Sequence, residues 1–254
     1  MSGSLAVVGL GPGDARWLTP EAEAALAAAD ALFGYRPYLD RVPAEPGQER
    51  HPSDNREEAA RDAQALRRAA EGARVAVVSG GDPGVFAMAA AVCEAIEHGP
   101  DAWRALDIAV VPGITAMLAV AAKVGAPLGH DFCALSLSDN LKSWETIERR
   151  LDAAAGAGFV LALYNPVSRA RPWQLGKTFE RLRRHLPRTT PVVFGRAVGH
   201  GDEQIHVTTL DAADASAADM ATLIIVGSAE TRVVARPGRA PLVYTPRAAK
   251  TVCA

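Results

Sequence analysis

The sequence has few of the features that mark several common classes of protein. Its three cysteines lie far apart and form no CxxC pair, so neither a disulfide framework nor a thiolate metal site is indicated. No apolar run approaches the roughly 20 residues that a membrane span needs. No positive segment precedes the first apolar residues, as it would in a secretory signal. We therefore expect a cytoplasmic protein with reduced cysteines and no membrane partner.

An excess of charge of one sign is also missing. The 27 Lys and Arg residues nearly balance the 29 Asp and Glu residues, which gives a formal net charge of −2. A general nucleic-acid binder would be more basic, so we expect no nucleic-acid partner. An anionic small substrate remains compatible with this balance, provided that its cations are gathered locally.

Several catalytic and binding motifs are absent. The chain has no GxxxxGK[ST] phosphate loop, no HExxH and no GxSxG, and its histidines show no ligand spacing, so no metal is expected. The first glycine-rich loop, residues 9–14, departs from a dinucleotide fingerprint. Asp14 stands where that fingerprint has glycine, and Pro12 lacks an N–H. A nicotinamide dinucleotide is therefore disfavoured.

What is present is an alternation of apolar runs and helical patterns from end to end. At roughly 150 residues per domain, the 254 residues, 49% of them hydrophobic, allow two compact units. The alternation predicts an α/β fold with parallel strands, and the break at Pro112-Gly113 predicts domains 1–113 and 114–254. The predicted strands are 5–10, 31–35, 74–79, 107–111, 132–137, 159–164, 192–195, 205–209 and 223–226. The predicted helices are 20–29, 55–71, 85–98, 114–124, 143–155 and 173–185, with a loop at 43–52.

Several predicted strands end in turns that contain glycine or proline. Ligands of α/β proteins bind outside the carboxyl ends of strands, although each turn alone is also explained by a need for positive φ. Such loops suit a zwitterionic, adenosine-bearing cofactor better than a phosphate-rich one. The turns are GLGPGD (9–14), SGGDPG (79–84), VPGITA (111–116), LYNP (163–166), FGRA (194–197) and VGS (226–228).

The first three of these turns resemble those of the S-adenosylmethionine-dependent tetrapyrrole methylase superfamily. The stretches GYRPYLD (34–40), GAPLGHDF (125–132) with LSLSD (135–139), and LYNPVSRARPWQL (163–175) are similar to its branch that methylates C17 of precorrins in cobalamin biosynthesis. The resemblance covers residues 5–228.

The resemblance implies two αβα domains with the cofactor S-adenosyl-L-methionine in a cleft between them, a tetrapyrrole (precorrin) substrate and a homodimer. It implies methylation of C17 of precorrin-3B with ring contraction to precorrin-4. The implied cofactor-binding residues are Pro12, Gly80, Gly81, Asp82, Val85, Thr115, Ala116, Tyr164, Asn165 and Ala197.

Three charged residues are the candidates for catalysis and substrate binding. Asp14 is the first candidate for an acid or base in ring contraction, although a carboxylate in its position also suits a helix cap. Arg36 and Arg171 can hold substrate carboxylates through paired hydrogen bonds, although Arg171 also suits a solvated loop residue. Tyr35 and Tyr38 could stack on the macrocycle or pack their own loop against the domain.

Three alternatives stay open at the level of function. The same fold and cofactor could serve cobalt-factor III or another ring position. They could also serve the diphthamide precursor or ribosomal RNA, which other members of the superfamily methylate. In the third alternative, the loops form a non-catalytic sensor of an adenosine ligand.

Overall fold

The protein forms two compact units in the computed structural model, which describes residues 3–54 and 57–248. Unit 1 is Met1–Thr115 and unit 2 is Ala116–Ala254, so the division falls two residues after the predicted boundary. Both units combine strands and helices, and the predicted α/β class is confirmed.

A five-stranded parallel sheet forms the centre of unit 1. Its strands are β1 (Ser4–Gly9), β2 (Ala31–Tyr35), β3 (Glu49–Ser53), β4 (Arg74–Ser79) and β5 (Asp107–Val111), in the order β3-β2-β4-β1-β5. Side chains alternate between the two faces of a strand, and both faces of β4 are covered. Val75 and Val77 pack into one core and Ala76 and Val78 into another. This double burial explains the uninterrupted apolar run.

Helices cover both faces of that sheet. They are α1 (Pro20–Ala28), α2 (Arg36–Leu39), α3 (Glu58–Ala70) and α4 (Met88–His98), with short 3₁₀ turns at Ala15–Trp17 and Asp101–Ala105. Leu66 of α3 and Val92 of α4 pack into the same core as Val75, whereas Leu26 of α1 packs into the core on the other face. Unit 1 is thus an αβα sandwich. The Thr19 side chain begins α1 by accepting the Ala22 N–H at 3.1 Å.

Unit 2 contains a mixed sheet, so the expectation of parallel strands is wrong for this half. Its strands are β6 (Gly125–Ala126), β7 (Phe132–Ser136), β8 (Val160–Tyr164), β9 (Pro191–Arg196), β10 (Gln204–Thr209), β11 (Thr222–Val226), β12 (Arg232–Arg236) and β13 (Arg239–Tyr244). The main sheet has the order β10-β9-β11-β8-β7, and in it only β7 and β8 pair in parallel. Buried strands have the same apolar pattern in either direction. The connection from β9 to β10 is too short for the crossover helix that parallel strands need.

Helices also cover both faces of the main sheet of unit 2. They are α5 (Ala116–Val124), α6 (Trp144–Gly156) and α7 (Gln174–Leu182), with a 3₁₀ turn at Ala215–Ala217. Leu151 of α6 and Phe179 of α7 share one core with β8 and β11. On the other face, α5 packs against β11, and its Val120 side chain fills the space beside Gly195.

A small third sheet was not predicted. It consists of the antiparallel pair β12 and β13 with β6 added in parallel. Val233 and Val234 in β12 are 45% and 43% exposed. Neither a buried run nor a regular alternation therefore marks this strand in the sequence.

Several local predictions differ from the structure. Strand β3 lies inside the predicted loop 43–52, because polar side chains on a sheet edge hide its pattern. The turn α2 was not predicted, and α4 and α5 begin at Met88 and Ala116, three and two residues later than predicted. Asn55, at the start of the predicted helix 55–71, lies outside the described residues. Within the described ranges, no helix has both the length and the apolar character of a membrane span.

The cysteines differ in exposure. Cys93 on α4 is exposed although its neighbours in the sequence are apolar, and Cys133 on β7 is partly buried; both are free thiols. Cys253 lies outside the described residues.

Candidate functional site

Three loops of unit 1 follow three neighbouring strands. In the sheet order β4-β1-β5, the carboxyl ends of these parallel strands lie at one edge. We name the segments at these ends loop 1 (residues 9–14, starting at the last residue of β1), loop 2 (80–86, after β4) and loop 3 (112–115, after β5). This edge is where open α/β sheets bind ligands, and all unit 1 residues of the predicted cofactor site lie in these loops.

Glycines let the three loops touch through their backbones. Gly11 and Gly81 exchange two hydrogen bonds, with N–O distances of 3.1 and 2.9 Å, and both have φ of +67°. A Cβ at Gly113 would lie 2.3 Å from the Gly81 carbonyl oxygen, and one at Gly9 would lie 2.7 Å from the Gly113 nitrogen. Larger residues would therefore push the loops apart.

The Asp82 carboxylate ties loop 2 to loop 3. Its Oδ1 accepts the Gly84 N–H at 2.8 Å, and its Oδ2 accepts the Gly113 N–H at 3.1 Å. A carboxylate oxygen has room for a further donor, so these bonds are compatible with the predicted contact to the cofactor, which stays a prediction.

Tyr35 and Tyr38 pack against each other, and Tyr38 also packs against loop 2 while 37% of its surface stays exposed. The Tyr38 ring lies against Gly80, where a Cβ would be 2.8 Å from the ring, and it meets Tyr35 edge-on at 5.4 Å between centroids. Burial raises the pKa of the Tyr38 hydroxyl. The structure displays the packing role of these tyrosines, and their stacking on the macrocycle stays a prediction.

Asp14 at the end of loop 1 caps the following 3₁₀ turn. Its Oδ1 accepts the Arg16 N–H at 2.9 Å, which is the capping role considered as an alternative. The residue is exposed, and its Oδ2 makes no hydrogen bond with any described residue. The catalytic role of Asp14 stays a prediction.

The remaining predicted residues of unit 1 differ in exposure. Pro12 and Val85 are partly buried, Thr115 at the end of loop 3 is buried, and Arg36 is exposed at the start of α2. Arg36 thus has the exposure that a cation needs to meet a substrate carboxylate.

In unit 2, three strands end at the same edge of the main sheet. Strand β7 is parallel to β8, and both β8 and β9 are antiparallel to β11, so β7, β8 and β9 run in one direction. Their last residues are Ser136, Tyr164 and Arg196. The predicted residues Tyr164, Asn165 and Ala197 therefore lie along one edge.

Backbone strain marks the turns after these strands. Asn165 and Ala197 have φ of +51° and +47°, and Phe86 in loop 2 has +53°; they are the non-glycine residues with positive φ in the described chain. Such conformations cost on the order of 1–3 kcal/mol and cluster at functional sites. All three follow the carboxyl end of a strand, and two are predicted cofactor-binding residues.

Hydrogen bonds hold these two turns. Asn165 Nδ2 donates to Ser136 Oγ at 2.9 Å, and the Ala197 N–H donates to the Ala221 carbonyl at 2.9 Å. The Tyr164 hydroxyl accepts the Met117 N–H at 3.1 Å, which connects the end of β8 to the first turn of α5.

The Arg171 guanidinium joins two loops instead of lying in solvent. Its Nη1 donates to Ser138 Oγ at 2.9 Å and Asn140 Oδ1 at 2.6 Å and approaches Asp139 at 3.4 Å, and its Nε donates to Ser168 Oγ at 3.2 Å. The side chain is 15% exposed, and its Nη2 makes no hydrogen bond within the described chain. The solvated alternative is therefore wrong, and Nη2 is available for a substrate carboxylate.

Sequence reasoning missed part of each site. Ser136 and Ser138 lie in the LSLSD stretch, but no spacing singles them out. Arg41 follows GYRPYLD and contacts loop 1, yet an isolated arginine in a loop has no signature. Arg196, which the sequence offers as a weaker candidate for binding a substrate carboxylate, is paired at 2.8 Å with both Asp202 and Asp219.

Comparison with known proteins defines the class of this protein. The sequence model of the tetrapyrrole (corrin/porphyrin) methylase family matches residues 4–214. The chain belongs to this family, and the resemblance inferred from the loop motifs is confirmed.

Three individual proteins are similar to this chain over most of its length. A precorrin-3B C(17)-methyltransferase of Sinorhizobium sp. is 63% identical over 247 residues, 97% of each chain. A probable cobalt-factor III C(17)-methyltransferase of Salmonella typhimurium is 39% identical, over 90% of this chain and 94% of the relative. The crystal structure of the methyltransferase CobJ is 50% identical, with a TM-score of 0.91 over 96% of this chain and 100% of that chain.

Proposed function

We propose that the protein is an S-adenosyl-L-methionine-dependent C-methyltransferase that methylates C17 of precorrin-3B, with ring contraction to precorrin-4, in cobalamin biosynthesis. The observation that carries the proposal is the 63% identity, over 97% of both chains, to a precorrin-3B C(17)-methyltransferase. The motif loops at the ends of β1, β4 and β5 support it, because they place bare backbone where α/β proteins bind ligands.

The loops of unit 1 suit the proposed cofactor. A zwitterion with an adenosine needs hydrogen-bond donors and acceptors, and the Asp82 carboxylate of loop 2 has room for a further donor. A Cβ at Gly81 would touch loop 3, with Thr115 Cα 3.8 Å and the Ile114 carbonyl oxygen 3.9 Å away, so this glycine lets loops 2 and 3 lie close together. We propose that Pro12, Gly80, Gly81, Asp82, Val85, Thr115, Ala116, Tyr164, Asn165 and Ala197 bind the cofactor.

The chain's part in methyl transfer is orientation. When bound, the cofactor supplies an activated methyl group on a sulfonium, so the protein needs no metal and no covalent nucleophile. Its residues align the acceptor carbon with the methyl group and exclude water, and such positioning lowers the barrier. The strained turns at Asn165 and Ala197 fix main-chain groups for this purpose.

Ring contraction needs proton transfer, for which we propose Asp14. Its exposed carboxylate has one oxygen in the cap to Arg16, which leaves Oδ2 to take up or release a proton. Arg36 and the Nη2 group of Arg171 are proposed to bind substrate carboxylates, since a guanidinium fixes both charge and orientation.

Two comparisons favour cobalt-free precorrin-3B over cobalt-factor III as the substrate. The sequence of this protein is 63% identical to that of the precorrin-3B C(17)-methyltransferase and 39% identical to that of the probable cobalt-factor III C(17)-methyltransferase. The test is multiple-turnover incubation with S-adenosyl-L-methionine and either tetrapyrrole. Faster turnover of precorrin-3B supports the proposal, and faster turnover of the cobalt compound reverses the assignment. Donor binding without turnover of either indicates the non-catalytic sensor.

The resemblance also supports a homodimer that works in the cytoplasm. Light scattering coupled to gel filtration tests the dimer: a mass of two chains supports it, and a mass of one chain contradicts it.

A further inference from the structure

A guanidinium outside the predicted site holds the backbone of loop 1. Nη2 of Arg41 donates to the carbonyl oxygens of Leu10 at 2.8 Å, Gly11 at 3.1 Å and Gly13 at 2.6 Å. The backbone of Arg41 is itself fixed, because its N–H donates to the Tyr38 carbonyl at 3.1 Å and so extends the turn of α2.

The charge of Arg41 is directed at peptide dipoles. Among the described residues it has no ion pair with a carboxylate. Burial lowers the pKa of the Arg41 guanidinium, with the nearby Tyr38 opposing the change, yet arginine stays charged in proteins. Three carbonyl oxygens around one cationic donor are charge-assisted hydrogen bonds, which are stronger than neutral ones.

These bonds decide which groups of loop 1 face outwards. Leu10 and Gly11 precede Pro12, and Gly13 follows it, so the three carbonyls turned towards Arg41 flank Pro12 on both sides. Gly11 and Gly13 are buried, whereas Pro12 between them is partly exposed. The Gly11 carbonyl also accepts the Gly81 N–H at 2.9 Å, so the same cation acts on the contact between loops 1 and 2.

We propose that Arg41 is a positioning residue for the cofactor: it fixes the carbonyls around Pro12 so that loops 1 and 2 keep their binding conformation. The inference rests on the proposed function, because it takes loop 1 as part of the cofactor site. Arg41 touches neither cofactor nor substrate in this account and acts through the loop.

Arg50 provides a matched control. Its Nη2 donates to the carbonyls of Leu39 at 2.5 Å and Val42 at 3.1 Å, and its Nη1 donates to the Pro43 carbonyl at 3.2 Å. Arg50 thus stabilises the segment after α2 with the same kind of bond, but it makes no bond to loop 1. Loss of either arginine removes charge-assisted bonds to backbone, and only loss of Arg41 removes the direct bonds to loop 1.

The experiment compares Arg41→Gln, Arg41→Lys and Arg50→Gln with the unmodified chain. We measure calorimetric binding of S-adenosylhomocysteine, the thermal midpoint without ligand, and KM for each substrate. Arg41→Gln is expected to raise Kd and the donor KM about tenfold while the tetrapyrrole KM stays within about twofold. Arg41→Lys keeps one ammonium for the three carbonyls and restores part of the affinity. Arg50→Gln lowers the thermal midpoint and leaves Kd within about twofold.

The outcomes separate this inference from the proposed function. If the unmodified chain binds neither S-adenosylhomocysteine nor S-adenosylmethionine, both the proposed function and the inference about Arg41 are contradicted. If the unmodified chain binds and Arg41→Gln binds equally well, only the inference is overturned. An equal loss of affinity in Arg50→Gln also overturns it, since the effect is then one of general stability. If Arg41→Gln does not fold, the Kd of Arg41→Lys decides, and an unchanged value counts against the inference.

Discussion

Several charged side chains in the candidate site stabilise a loop through hydrogen bonds and are also candidates for catalysis or ligand binding. Asp14 caps a turn, Asp82 bridges two loops, and Arg171 joins residues 138–140 to Ser168. The sequence identified the type and place of these residues, because charged side chains next to glycine turns stand out. It could not rank their roles, since a cap and a catalytic carboxylate have the same local pattern.

Replacing Arg171 tests its proposed role towards the substrate. Arg171→Ala removes both the cation and the link between its two loops, so the KM for the tetrapyrrole should rise about tenfold while the donor KM changes less than about twofold. Steady-state kinetics with each substrate varied in turn measures this. Arg188→Ala is the control, because Arg188 is an exposed cation of unit 2 paired with Asp211. Unchanged constants in Arg171→Ala would exclude a role in substrate binding.

Asp62 on α3 gives the stability a predicted pH dependence. It is 1% exposed, its carboxylate oxygens have no hydrogen-bond partner in the described chain, and Arg61 lies 3.9 Å away. Burial raises the pKa of Asp62 to about 6 from 3.8, against the opposing effect of Arg61. Between these two pH values the carboxyl of Asp62 therefore keeps its proton in the folded state and has lost it in the unfolded state. The stabilisation is complete below pH 3.8 and is lost as the pH rises to about 6.

Denaturant unfolding at several pH values checks this dependence. Relative to Asp62→Asn, the unmodified chain should lose on the order of 2 kcal/mol of unfolding free energy between pH 4 and pH 7. Asp30→Asn is the control: Arg74 lowers the pKa of Asp30 to about 2, so its difference from the unmodified chain should stay constant in that range. A constant difference for Asp62→Asn would show that its carboxyl titrates normally.

At the scale of elements, the glycine loops are the features that the sequence predicts best. Buried strands with continuous apolar runs, such as β4 and β8, are marked by composition, and the turns after them by glycine and proline. Strands on exposed edges, such as β3 and β12, were missed because their side chains meet water on at least one face. Such strands are stabilised by pairing with neighbouring strands, and this pairing requires no periodic pattern of apolar residues in the sequence.

Gly113→Ala tests whether contact between the loops matters. The new Cβ would lie 2.3 Å from the Gly81 carbonyl oxygen, so loops 2 and 3 must separate. We expect the midpoint of thermal unfolding to fall and the Kd for S-adenosylhomocysteine to rise about tenfold or more. Gly176→Ala is the matched control, because a Cβ there meets no atom within 4 Å and alanine favours the helix α7. Equal behaviour of the two variants would contradict the account of the loops.

At the scale of the molecule, the sequence predicted the α/β class and the family but not the strand order. The parallel sheet of unit 1 follows from its helical crossovers. The mixed sheet of unit 2 depends on short connections such as that from β9 to β10, whose effect on strand direction appears only when the chain is folded. Residues distant in sequence that meet the site, such as Arg41, whose side chain bonds loop 1, are specified by packing and not by any local motif.

The position of the transferred methyl group tests the central proposal most directly. The protein is incubated with precorrin-3B and S-adenosyl-L-methionine labelled with ¹³C in the methyl group, and the product is analysed by NMR and mass spectrometry. We predict a single labelled methyl group on C17 of a ring-contracted product. A labelled methyl group on another carbon, or recovery of unmethylated precorrin-3B from a protein that binds the donor, would contradict the proposed function.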